Sequence, residues 1–404
     1  MSESIAVELK PESTDHHAVG MSAFGNADNP FLIAQRQLAA AAGILQLDDA
    51  THQMLRWPVR EMHAHLPVRM DDGTTRVFHG FRVQYNDARG PCKGGVVCDP
   101  KKLSITELER LSRAYVRQFA RILGLDSDVP APDVYTTPQI MAWMLDEYSV
   151  MKGHNEFGMI TGKPLALGGS QGRGDATARG GVYVLREAAR TAGLDPARLT
   201  YSVQGFGNAG SHACRILANE VGAKVVAVGE LDGTVWNPDG LDIAKLTAHF
   251  AKHKGVKGFP EAEYLPTSKD ALEVPCDVLV PAAIENQITK ANAAKVKAKI
   301  VLELANGPTT PEADEILWAR DVTVLPDFLA NAGGVTVSYF EMVQNAYNYY
   351  WDLPMVHDRL EKKMSAAYRA VHDSAQNHKV HNRLGAYLVS VQRVAEAMKA
   401  RGWV

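Results

Sequence analysis

Residues 200–233 read TYSVQGFGNAGSHACRILANEVGAKVVAVGELDG, and the glycine spacing inside this stretch decides the fold of the second half of the chain. A short run with strand character ends at Gln204. Gly205, Gly207 and Gly210 then form G-x-G-x-x-G, and a helical pattern begins near Ala209. The first glycine permits a tight turn, the second lets a pyrophosphate approach the backbone, and the third lets helix and strand pack closely. Phe206 and Asn208 lie inside the same loop, where amides at a helix N-terminus face phosphate charge. Gly205, Phe206, Gly207, Asn208 and Gly210 are therefore assigned to a dinucleotide.

The second strand of the unit, KVVAVGE, ends on Glu230, where an acid reaches the ribose hydroxyls. A carboxylate there repels a 2′-phosphate, and the next basic residue after Lys224 is Lys245. NAD is favoured over NADP as cofactor. Asp232 is the rival acid if the strand ends later.

Further along, CDVLVPAAI (276–284), AKIVLELAN (298–306) and VTVLPDFLAN (322–331) are short apolar runs between helical patterns, which indicates a parallel sheet covered on both faces. From Val337 onward the pattern is mostly helical. Before Thr200, residues 61–86 alternate apolar and polar side chains around Asp71-Asp72-Gly73, as a hairpin does; such an exposed hairpin often serves as a subunit interface. Ser104 and Glu107 stand in capping-box spacing before a helix expected to run to Gly124, and Thr137-Pro138 opens another.

The 404 residues carry a formal charge of −3, with no basic run for nucleic acid or an anionic membrane surface. Small polar ligands are the expected partners. No apolar stretch approaches bilayer length and the first residues lack a signal layout, so a cytoplasmic location is expected. Cys92, Cys98, Cys214 and Cys276 lack paired spacing and read as reduced thiols, with no metal site indicated; Cys92 flanks a glycine loop.

Seven segments together resemble the glutamate/leucine/phenylalanine/valine dehydrogenases, most closely the hexameric glutamate dehydrogenases: FRVQYNDARGP (81–91), PAPDVYTTPQIMAWMLDEYS (130–149), TGKPLALGGSQGRGDATARGG (161–181), VQGFGNAG (203–210), NPDG (237–240), ANGPTTPEAD (305–314) and NAGGVTVSYFEMVQN (331–345). The resemblance implies an α/β protein of two domains, an N-terminal substrate domain with a mixed sheet and a Rossmann-like doubly wound dinucleotide-binding domain. The boundaries expected are a flexible arm over 1–30, the substrate and oligomerisation domain over 31–175, the nucleotide domain over 176–345, and C-terminal helices over 346–404 that return to the substrate domain. It further implies NAD(P)-dependent oxidative deamination of L-glutamate to 2-oxoglutarate and ammonia, in a homo-oligomer of hexameric form.

By the same resemblance, Asp133 moves protons at the substrate nitrogen; standing alone it would read as a loop acid capping nearby amides. Ser338 binds the side-chain carboxylate, although its local sequence reads as a strand. Arg173 and Thr177 line the cleft, Arg173 toward substrate and Thr177 toward cofactor. Asn306 and Asn331 contact the cofactor, Asn331 with Gly333 and Gly334 beside it. Smaller departures from the family pattern are Ala178, Leu304, Gly229 and Glu230.

The largest departure is at GPCKGGVVCDP (90–100). The family has two lysine–glycine loops, G-P-x-K-G-G and P-x-G-G-x-K-G-G, with an additional lysine for the α-carboxylate between them. Here Gly90-Pro91-Cys92 belongs to the first loop and Val96-Val97-Cys98-Asp99-Pro100 to the second, with a single K-G-G between. An internal deletion that removed a strand, a helix and a strand accounts for this. Lys93 then matches both the catalytic lysine and the lysine of the side-chain carboxylate, and one ammonium cannot do both. Turnover below the family's level is expected. The alternative reading is a catalytically impaired NAD-binding homologue that serves as a structural or regulatory subunit, with itself or with an intact paralogue.

Overall fold

A computed structural model describes residues 29–98 and 103–404. The arm expected over 1–30 falls almost wholly outside the described residues, as do Asp99 and Pro100 of the second loop. Asn29 caps α1 (Pro30–Ile44) by accepting from the Phe31 amide, and Asp48 caps α2 (Asp49–Arg56).

The alternating stretch forms a hairpin, β1 (Arg60–Arg69) with β2 (Thr75–Gln84), paired antiparallel over ten residues on each strand. Its period of two sends Ala64, Leu66 and Val68 to one buried face, against Leu108, Val116 and Phe119 of α3 (Ile105–Phe119). Ser104 and Glu107 complete the capping box as expected. The helix stops at Phe119 rather than Gly124, because Gly124, at φ +147°, pairs with Asp128 in an isolated bridge. Next come β3 (Cys92–Val96), β4 (Asp128–Pro132) and α4 (Pro138–Lys152), the last capped by Thr137. β3 and β4 pair in parallel and form their own two-stranded ladder. Instead of one mixed sheet, this half therefore holds two separate ladders among the described residues.

The mixed sheet lies in the second half. α5 (Ala176–Thr191) leads into β5 (Thr200–Gln204), α6 (Asn208–Ile216), β6 (Lys224–Glu230), β7 (Gly233–Trp236), α7 (Ile243–His253), β8 (Glu263–Leu265), β9 (Val278–Pro281), β10 (Ile300–Leu302), α8 (Pro311–Trp318) and β11 (Thr323–Leu325). The strand order is β11-β10-β9-β5-β6-β7-β8, parallel from β11 to β6. β7 and β8 are antiparallel additions, which the expectation of a parallel sheet missed. The two residues between β6 and β7, Leu231 and Asp232, are enough to reverse the chain, with Gly233 at φ +136° completing the turn.

α9 (Asp327–Ala330) and α10 (Gly333–Tyr347) follow, then α11 (Leu353–His378) and α12 (Asn382–Ala400). α11 packs on α5, and α12 packs on α1, so the chain's end returns to its beginning. The far end of α12 also touches the N-terminal half, where Arg401 donates to the Asp87 carbonyl. Near its start, Arg383 is buried against Glu303, Asp314 and Asp327 and pins α12 to the sheet. Burial pushes the Glu303 carboxyl up to about 7 against the pull of Arg383.

Candidate active site

The glycine loop is built as its spacing requires. A Cβ on Gly210 would sit 1.8 Å from the Gly205 carbonyl oxygen, and Gly205 itself is at φ +94°. Gly207, by contrast, has nothing within 4 Å of where a Cβ would lie. The turn is thus open at Gly207, and no side chain caps the first turn of α6. This cradle fits a dinucleotide pyrophosphate. Glu230 accepts from the Phe206 amide at 2.8 Å, which holds the second strand's acid against the loop. Asp232 instead accepts from the amides of Val256 and Lys257, which commits it to a neighbouring turn. Asn208 lies alongside, its amide 3.4 Å from the Gly174 carbonyl.

A cleft of about 280 Å³ gathers Lys93, Asp133, Arg173, Thr177, Asn306, Asn331 and Ser338 from distant parts of the chain. The glycine loop and Glu230 do not line it. Ser338 is on α10, not on a strand. The β-branched Val335, Thr336 and Val337 suggest extension, but the buried set Val337, Ser338, Phe340, Glu341 and Gln344 has helical spacing, and burial overrides local propensity. Its hydroxyl accepts from Arg173 Nε at 3.0 Å. Asn331 donates to Asn306 Oδ1 at 2.7 Å, joining the two expected cofactor contacts at one rim.

Lys93 is half-buried on β3 and donates to Thr161 Oγ1 at 2.8 Å. Burial, reinforced by the positive charge of Arg173, lowers its pKa from 10.5 to about 7; Glu341 acts in the opposite direction. Burial also lowers Arg173 from its ordinary value. Two crowded cations with depressed pKa values beside a buried hydroxyl form a site that a carboxylate would complete. Asp133 stands nearby, exposed at the end of β4. Its Oδ1 accepts from the Val134 amide, so the capping role is real, while Oδ2 lies 2.3 Å from where a Cβ on Gly95 would be. Only glycine at 95 allows Asp133 this position.

Sequence reasoning missed the residues that support these groups. Glu341, one turn beyond Ser338 on α10, accepts from Lys163 Nζ at 2.6 Å and from the Gly162 amide at 3.0 Å. Both side chains are fully buried, so the pair locks α10 against the loop that carries Thr161. Arg82 forms a buried ion pair with Asp128 and donates to the carbonyls of Gly94 and Gly95, thereby fixing the strand of Lys93. Lys163 and Arg82 stood inside quoted segments; nothing local identified their partners.

A family model described as Glutamate/Leucine/Phenylalanine/Valine dehydrogenase matches residues 168–402. The chain belongs to this family. A second model, the Glu/Leu/Phe/Val dehydrogenase dimerisation domain, matches in two pieces, 58–97 and 92–150. The pieces overlap at Cys92–Val97, the single K-G-G segment. An NAD-specific glutamate dehydrogenase of Staphylococcus aureus (strain COL) is 43% identical over 395 residues, with 89% of this chain and 95% of the relative covered. That alignment is longer than 89% of a 404-residue chain, so the relative has residues opposite a gap here. Among solved structures, glutamate dehydrogenase from Peptoniphilus asaccharolyticus has a TM-score of 0.81 at 37% identity, covering 93% of this chain and 100% of its own. The hetero-hexameric glutamate dehydrogenase of Thermus thermophilus in its Leu-bound form has 0.88 at 32%, covering 93% and 98%. Among the described residues, no helix is long and apolar enough to cross a membrane.

Proposed function

We propose that this chain is an NAD-linked amino-acid dehydrogenase whose site takes L-glutamate and its product 2-oxoglutarate, with slow turnover. The observation that carries the reading is the convergence of Lys93, Arg173 and Ser338, two cations and a hydroxyl at one end of a single cleft. An aliphatic or aromatic side chain would leave both cations unpaired, whereas a side-chain carboxylate satisfies them. The NAD-specific relative and Glu230 at the glycine loop support NAD over NADP.

The reaction removes a hydride from Cα and a proton from nitrogen, and water then converts the imine to 2-oxo acid and ammonia. NAD bound along the glycine loop supplies the hydride acceptor. Asp133 takes the nitrogen proton at the mouth of the cleft, and Arg173 and Ser338 with Lys93 fix the substrate's far end. Lys93, tied to Thr161 on the Arg173 side, serves the carboxylate. No second lysine of the cleft is left among the described residues to activate water at Cα. Loss of such a positioned group lowers rates typically by about 10²–10⁴-fold.

The overlap of the two dimerisation-domain matches on one K-G-G segment favours a second reading, a binding subunit within a larger assembly. The hetero-hexameric Thermus thermophilus structure is an assembly of that kind. Initial rates of NAD and NADP reduction with glutamate, leucine and valine test the proposal. Glutamate should be the preferred substrate and NAD the preferred cofactor. Preference for leucine or valine would refute the carboxylate site, and NAD binding with no turnover would favour the subunit reading.

A further inference from the structure

The hairpin's inner face supports the cleft through Arg82, but its outer face carries an arrangement that catalysis does not use. His63, His65 and His79 are all exposed there, and their ligating nitrogens lie within 4.8 Å of one another. His65 and His79 are directly opposed across the ladder, while His63 stands two residues along β1 opposite Phe81. The period of two puts all three imidazoles on one side. His63 Nε2 and His79 Nδ1 are 3.1 Å apart, and Phe81 stacks on His63 at 4.5 Å with an interplanar angle of 4°.

We propose that His63, His65 and His79 form a three-imidazole site for a borderline divalent transition-metal ion of the zinc class, which clamps β1 to β2 on the face opposite α3. Tetrahedral bonds of 2.0–2.1 Å to imidazole nitrogens place the donors about 3.4 Å apart. The present separations, from 3.1 Å up to 4.8 Å, bracket that spacing, and side-chain rotation closes the difference. The ligand type selects the ion. Neutral imidazoles suit zinc, nickel, copper and cobalt, whereas the oxygen ligands that calcium and magnesium require are absent from the group. The ten-residue ladder, anchored from below by Leu66 and Val68, pre-positions the donors. Three ligands leave the fourth position to water. The site stands independently of the proposed enzymatic activity.

Calorimetric titration of the full, metal-free chain with zinc at pH 7.5 should give one ion per chain. His79→Gln should weaken binding by about a hundredfold, one ligand's share of a zinc site's affinity. Cobalt bound to the unaltered protein should show the visible bands of a tetrahedral ion, a readout that needs no variant. Equal zinc affinity in the His63→Gln/His65→Gln/His79→Gln variant, or no cobalt spectrum from the unaltered protein, would overturn the proposal.

Discussion

Replacing Lys93 by methionine should make the protein more stable and its substrate binding weaker. The ammonium's pKa falls from 10.5 to about 7 on folding, chiefly through burial and then through Arg173. At about 1.4 kcal/mol per pKa unit the full shift is on the order of 5 kcal/mol, which solvent at the half-buried site reduces to roughly 2–4 kcal/mol. Below pH 7 the lysine is charged in both states and the whole cost is present. Between about 7 and 10.5 the unfolded chain holds a proton that the folded chain lacks, so stability rises with pH across that window. Methionine is of similar length and uncharged, and replacing buried charge with apolar volume typically stabilises by about 1–4 kcal/mol. Urea unfolding at pH 6.5 should therefore show a gain, and the pH-dependent rise between 7 and 10 should shrink. Calorimetry should show 2-oxoglutarate binding weakened by about 10- to 100-fold, from loss of a charge-assisted hydrogen bond. A destabilised Lys93→Met protein with unchanged 2-oxoglutarate affinity would refute the assignment of Lys93 to a crowded carboxylate site.

Gly95→Ala places a methyl group 2.3 Å from Asp133 Oδ2, so kcat should fall by about tenfold or more while NAD affinity holds; unchanged kcat would remove Asp133 from the proton path. Gly210→Ala would put a Cβ 1.8 Å from the Gly205 oxygen and should abolish NAD binding in fluorescence titration, with the substrate half still folded by circular dichroism. Glu341→Gln leaves Lys163 buried without its counter-charge and should cost about 3–5 kcal/mol in urea unfolding.

The nucleotide half was legible because its signals are local. Gly205 and Gly210 answer to backbone conformation within six residues, and β9, β10 and β11 are apolar runs that no other element explains. Ser338 was assigned to the cleft through its resemblance to a family motif but placed on the wrong element. The Val-Thr-Val run resembles a strand, and only its burial against α5 makes it a helix. β7 and β8 escaped notice for a related reason, since β7 is four residues long and β8 three. The supporting ion pairs were illegible: Lys163 and Glu341 are 178 residues apart, and Arg82 and Asp128 are 46 apart. Chain folding alone brings such partners together. The single K-G-G around Lys93, by contrast, is a departure that shows only beside the family's two-loop pattern, and the two dimerisation-domain matches overlap on those same residues.

The most direct measurement is kcat for L-glutamate with saturating NAD, made side by side with the Peptoniphilus asaccharolyticus enzyme, together with 2-oxoglutarate affinity. On the proposed reading, with Lys93 the one lysine lining the cleft among the described residues and engaged by the side-chain carboxylate, 2-oxoglutarate binding is measurable and kcat is lower by about 10²–10⁴-fold. Equal kcat values would contradict it, because a single Lys93 would then be serving both the carboxylate and the water.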